Sequence, residues 1–123
     1  MSTISAAQAS AFYEQVALNG VVFTFKDADE YLVFRVGGKE VVPFWSSRSR
    51  LEDIKEAHPK YAGYLISEET LQEFLDETLP LMEGEAIHIG VNWSGAGLKG
   101  YDVEARSVRQ NIEYWLSRKS GNG

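Results

Sequence analysis

"VVFTFKDADEYLVFRVGGKEVVPFW", residues 21 to 45, decides the fold class. Val21, Phe23 and Phe25 recur at every second position, the spacing that puts side chains on one side of an extended chain. After the polar turn "DADE", the run "YLVFRV" does the same with Leu32, Phe34 and Val36, so the two runs predict a hairpin. Gly37-Gly38 is a two-residue turn that reaches positive φ at no steric cost, and it delivers the chain into a third strand, "KEVVPFW". Three sequential strands predict an antiparallel meander. Val41 and Val42 fall on opposite faces of the third, which is therefore expected to be covered on both sides. Pro43 cannot donate to a ladder and points to an edge or a strand end.

Working outward, Ser5 and Gln8 fit a capping box, and Ala9, Phe12 and Val16 share one face, which predicts a helix over about residues 5 to 18. On the other side, Ser49-Arg50-Leu51-Glu52 is a second capping-box pattern. It opens a helix carrying Leu51, Ile54 and His58 on one face and ended by Pro59. Ser67 is read as the cap of a third helix, with Glu68 and Glu69 in its first turn, a stripe of Leu71, Phe74, Leu75 and Leu79, and an end bracketed by Pro80 and Gly84. "EAIHIGVNW" alternates as a strand, with Ile87, Ile89, Val91 and Trp93 on one face and His88 and Asn92 on the other. "GYDV" is a short fifth strand, and a last helix from about Ala105 to Arg118 buries Ala105, Val108, Ile112, Trp115 and Leu116. The order α-β-β-β-α-α-β-(β)-α predicts an α+β fold: a mainly antiparallel sheet of four to five strands with helices packed on one face.

The 123 residues suit one domain, with "MST" and "SRKSGNG" expected to be loose and about residues 5 to 118 ordered. A formal net charge of −6 works against nucleic acid or an anionic membrane as partner, since both require a basic surface, and is compatible with a basic protein. The chain has no cysteine, which removes disulfides, thiolate chemistry and cysteine-ligated metals. No basic residue precedes an apolar run at the N-terminus and no window is long enough for a membrane span, so a cytoplasmic protein is expected.

"SGAGLKG" holds Gly95, Gly97 and Gly100, a literal G-x-G-x-x-G after an apolar stretch. A dinucleotide fingerprint needs its glycines between a strand and a helix within a βαβ unit; here "YDV" intervenes and the chain ends before a second strand forms. The loop reads as a turn, and no cofactor is expected. His58 and His88 stand on different elements with no ligand at matching spacing, so no metal site is expected. The serines at 46, 47 and 49 are explained by helix capping, and "DADE" lacks the later glutamate of a calcium loop.

The large aromatics Phe44, Trp45 and Trp93 stand at strand ends, where they close a core or anchor a partner. If their elements converge, Trp45, His88, Asn92 and Trp93 line a pocket, and these four are the candidate binding residues. No catalytic residue is assigned.

Taken together, "NGVVFTF", "VVPFWSSRSRLEDI", "LISEETLQEFLDETLPLM" and "IHIGVNWSGAGLKGYDV" resemble the bacterial domain of unknown function 2750 family over about residues 8 to 118. The Pro43-x-Trp45 pairing and the Leu79-Pro80-Leu81 run carry the resemblance best, while Phe23 stands where the family often shows tryptophan. The resemblance implies a bacterial, cytoplasmic, single-domain α+β protein and brings no catalytic residue with it. The expected function is a non-catalytic protein-binding or regulatory module with a basic partner, of which an immunity protein against a basic toxin is one concrete form. The alternative is a small enzyme or small-molecule binder using the four candidate residues. Oligomeric state is not encoded in any feature of the sequence.

Overall fold

The computed structural model describes residues 3–121. Helix α1 (Thr3–Asn19) leads through Gly20, at φ +74°, into β1 (Val21–Asp27). There follow β2 (Glu30–Tyr31), β3 (Phe34–Val36), β4 (Lys39–Phe44), α2 (Arg48–Ala57), a short 3-10 turn (Pro59–Tyr61) and β5 (Leu65–Thr70). Helix α3, residues 71–84, is one run of α turns (Leu71–Glu73 and Leu79–Gly84) widened to π geometry over Phe74–Thr78. The chain closes with β6 (His88–Val91), β7 (Asp102–Val103) and α4 (Ala105–Gly121).

The fold is α+β with mostly antiparallel strands and helices packed against them. The strands divide between two sheets, β2-β1-β5 and β3-β4-β6-β7, where the sequence pattern predicts a single one. The division begins in β1. Val22, Phe23, Thr24 and Phe25 are all buried, so this strand needs cover on both faces and a long partner. The hairpin with β2 supplies only the pairs Lys26↔Tyr31 and Asp27↔Glu30, whereas β5 pairs with β1 over six positions, from Val21↔Thr70 to Lys26↔Leu65. The predicted meander is thus confined to β3 and β4, joined through Gly37 and Gly38, both at positive φ. A reciprocal pair of backbone bonds, Phe23 to Trp45 at 2.9 and 2.7 Å, links the two sheets.

Strand β4 is central, between β3 and a parallel β6. Pro43 is tolerated there because its nitrogen faces the gap between the last β3 pair, Phe34↔Val41, and the Phe23–Trp45 bridge. The Pro43 carbonyl in that gap accepts the buried Thr24 hydroxyl at 2.7 Å. As expected, Val41 and Val42 serve two faces. Val42 and Phe44 meet Phe12 and Val16 of α1, Phe74 and Met82 of α3, and Val108 and Ile112 of α4. Val41 and Trp45 meet Phe25, Leu51 and Ile54 of α2, Tyr61 and Trp93, so α2 covers the second face.

Three boundaries move from their predicted places. Ser67, Glu68 and Glu69 lie in β5, not at a helix start; Thr70 is the cap, its hydroxyl accepting the Glu73 N–H while the Glu73 carboxylate accepts the Thr70 N–H. Pro80 lies inside α3, which ends at Gly84 within the expected bracket; in the π segment just before it, Leu79 N–H reaches back to Phe74 O. Helix α2 starts at Arg48 behind Ser47, and Ser49 forms no capping box. At the far end, α4 continues through Gly121, beyond the expected fraying point; residues 1–2 and 122–123 of the two ends expected to be loose lie outside the described residues.

Candidate functional site

Trp45, Asn92 and Trp93 come together, and all three are buried. Asn92 sits at φ +51°, a left-handed conformation that asparagine tolerates better than most residues, directly after β6. Its Oδ1 accepts the Ser46 N–H at 2.9 Å, its Nδ2 donates to Ser46 Oγ at 3.0 Å, and Ser46 Oγ in turn donates to Gln15 Oε1 of α1. Trp45 Nε1 donates to the Trp93 carbonyl at 2.8 Å. Ser46 is therefore a buried joint of this network rather than a helix cap. The network ties the ends of β4 and β6 to each other and to Gln15 of α1, and one edge of Trp93 remains at the surface of a hollow described below.

Trp93 explains two glycines. A Cβ on Gly90 would stand 2.5 Å from its indole and one on Gly100 2.6 Å from its Cδ1, so both positions are held to glycine by the ring between them. The indole N–H donates to Tyr101 O at 2.9 Å. Gly95, at φ +84°, turns the chain within a loop closed by the Ser94↔Lys99 bridge. The G-x-G-x-x-G run leads into β7, antiparallel to β6, and the helix begins only at Ala105.

His88 stands apart from the other three, at the opposite end of β6. Its Nδ1 lies 3.0 Å from Asp102 Oδ1 on β7, and the same oxygen receives Lys39 Nζ at 2.9 Å. Burial works to raise the Asp102 pKa, but the hydrogen bonds from Lys39 and His88, with their positive charges, bring it below the usual aspartate value. Beside the pair lies a hollow of about 240 Å³ that includes Glu83, Glu104 and Arg106.

A second hollow, of about 280 Å³, opens where the β2–β3 connection meets the end of α3. Its apolar lining includes Val33, 45% exposed, and Leu81, 52% exposed, above the buried Val42 and Met82. Asp29, Glu30 and Glu85 complete it, and no basic residue lines it. Tyr31, also in the lining, donates its hydroxyl to Glu69 Oε2 at 3.0 Å, while Thr78 of the π segment donates to Glu69 Oε1 at 2.5 Å. Burial first, and then the Glu69 charge, push the Tyr31 pKa up to about 12. Lys26 lies over the Tyr31 ring, 4.6 Å from its centre. The sequence signal for this hollow is that Val33 and Leu81, both apolar, fall off the stripes of their own segments.

A third hollow, about 430 Å³, lies between α2 and residues 94–96, with Ile54 and Trp93 in its lining. Among the described residues, no three His, Asp or Glu side chains are grouped as a metal would require, and no helix is long and apolar enough to cross a membrane.

No curated protein matches the chain. The family model described as Protein of unknown function (DUF2750) matches residues 9–112, which runs from within α1 into the first half of α4 and takes in both sheets and all three hollows. The chain therefore belongs to the DUF2750 family.

Proposed function

We propose that this chain is a non-catalytic protein-binding module that receives a basic, partly apolar segment of a partner at the Val33–Leu81 hollow. The observation that carries the reading is the coincidence of two large exposed aliphatic side chains with three carboxylates and no lining cation. Exposed apolar surface costs little alone, but rimmed by charge of one sign it suits a complementary partner. The formal net charge of −6 would draw a basic protein in from a distance. In its most concrete form the partner is a basic toxin in the bacterial cytoplasm, whose active surface the module covers as an immunity protein.

Fluorescence polarisation with a labelled peptide of alternating lysine and leucine tests the reading. Reversing Glu30 and Glu85 to lysine should weaken binding by about tenfold or more, and Val33→Ser with Leu81→Ser should do likewise at unchanged charge. The equal reversal of Glu52 and Glu56 on α2 should change binding far less. Equal losses from both charge reversals would mean unspecific attraction and would end the proposal.

A second reading rests on the His88–Asp102 contact, the arrangement that orients an imidazole for general-base work. It would need a substrate group or water at Nε2, and Lys39 competes for the same carboxylate oxygen. Turnover of p-nitrophenyl acetate or phosphate lost in His88→Gln would support this reading; equal rates in both proteins would remove it.

A further inference from the structure

The hollow between α2 and the 94–96 loop is neutral in an acidic protein. Arg50 and Asp53 project from α2 one turn apart, together with Ile54 and Ala57. Side chains spaced three and four apart share a helix face, so all four look toward the loop. The opposite wall, Ser94, Gly95 and Ala96, carries no charge, and Trp93 contributes an apolar edge. Residues on α2 make other ion pairs and hydrogen bonds: Arg48 approaches Glu68 at 3.9 Å and Lys55 donates to Tyr64 O at 2.8 Å. Arg50 and Asp53 differ in having neither a hydrogen bond nor an ion pair among the described residues, not even with each other.

The wall opposite them is held rather than loose. Ser94 and Lys99 exchange backbone bonds at 3.0 Å, Leu98 is buried below, and Asn92 anchors the entry to the loop. Small residues at its tip keep the mouth open, and the volume falls within the about 300–1,000 Å³ usual for small-ligand sites.

We infer that this hollow binds a free α-amino acid with an apolar side chain. Arg50 takes the carboxylate, Asp53 takes the ammonium, and the side chain lies against Ile54, Ala57 and Trp93. A zwitterion is the ligand that leaves both opposite charges paired; a simple acid would bring its carboxylate beside Asp53, and a simple amine would face Arg50. His58, also in the lining, stands at the helix end. This site lies apart from the Val33–Leu81 hollow and does not rest on its role.

Titration of ¹⁵N-labelled protein with L-leucine tests the inference, read at the Trp93 indole resonance and the amides of residues 94–96. L-leucine at millimolar concentration should shift these signals. N-acetyl-L-leucine, which lacks the ammonium, and L-leucinamide, which lacks the carboxylate and mimics a peptide N-terminus, should each bind about tenfold more weakly. Asp53→Asn should abolish the preference for leucine over its acetylated form, and Arg50→Gln the preference over the amide. Both positions are on the surface of α2, so an unchanged spectrum away from the hollow shows the variants folded. No shift at Trp93, equal binding of all three compounds, or unaltered preferences in both variants would overturn the inference. Tighter binding of the amide would instead assign the hollow to a peptide end, and would overturn it too.

Discussion

Asn92 Oδ1 accepts the backbone N–H of Ser46 at 2.9 Å, and through this bond the end of β6 is tied to the end of β4. Local pattern cannot foresee such a joint, because 46 residues separate the partners. Removing it should be costly. Asn92→Ala leaves a buried N–H unpaired and puts alanine at φ +51°, for a loss of about 2–4 kcal/mol in urea unfolding. Asn92→Gly loses the same bonds but tolerates the backbone, so it should recover about 1 kcal/mol of that. A glycine variant less stable than the alanine variant would contradict this role.

The glycines of the G-x-G-x-x-G run should separate by what each touches. Gly100→Ala, like Gly90→Ala, drives a Cβ into the Trp93 ring and should cost about 1–3 kcal/mol while altering the near-ultraviolet dichroism of tryptophan. At Gly97 the nearest atom to an added Cβ is Cε of the flexible Lys99 side chain at 3.1 Å. Gly97→Ala should therefore stay within about 0.5 kcal/mol of wild type.

Tyr31 sets a limit at high pH. Its folded pKa is raised, by burial and then by the Glu69 charge, from 10.0 to about 12. The folded state therefore holds the proton more tightly than the unfolded chain. The resulting stability is complete below about pH 10 and is lost as pH rises toward about 12. Glu69→Gln should lower the Tyr31 value, though not to 10.0, because burial remains. Tyrosinate absorbance measured against pH reads both proteins; an unchanged midpoint would remove Glu69 as a cause.

Asp102 acts at the acid end with the opposite sign. Its folded pKa is lowered, so its contribution is present above the ordinary value of 3.8 and is lost as pH falls through the lowered one. Lys39→Met removes a hydrogen bond and a charge from the same oxygen and should raise the Asp102 pKa, as followed by carboxyl carbon NMR. A value unmoved by the substitution would show that His88 alone holds the carboxylate down.

What the sequence made legible was local. The Gly37-Gly38 turn, the α1 and α4 stripes, the stop at Pro59 and the two-faced β4 are all set by neighbours within a few residues. The long β1–β5 and parallel β4–β6 pairings depend on partners dozens of positions away, and a period of two cannot name a partner. Ser67 stands beside Glu68 and Glu69 as a cap would, but Thr70-Leu71-Gln72-Glu73 is the capping box that forms, since β1, buried from Val22 to Phe25, requires "LISEET" as a strand. Of the four candidate residues, Trp45, Asn92 and Trp93 converge because β4 and β6 run in parallel and end together. His88 begins the strand that Asn92 follows, so the same geometry separates it from them.

The binding proposal is tested most directly by mapping where the lysine–leucine peptide lands. Backbone NMR of the labelled protein should show shifts concentrated at Asp29, Glu30, Tyr31, Val33, Leu81 and Glu85, and these should vanish in the Glu30→Lys, Glu85→Lys double variant. Shifts spread over all acidic surfaces, or centred on α2 instead, would contradict the assignment of that hollow as the partner site.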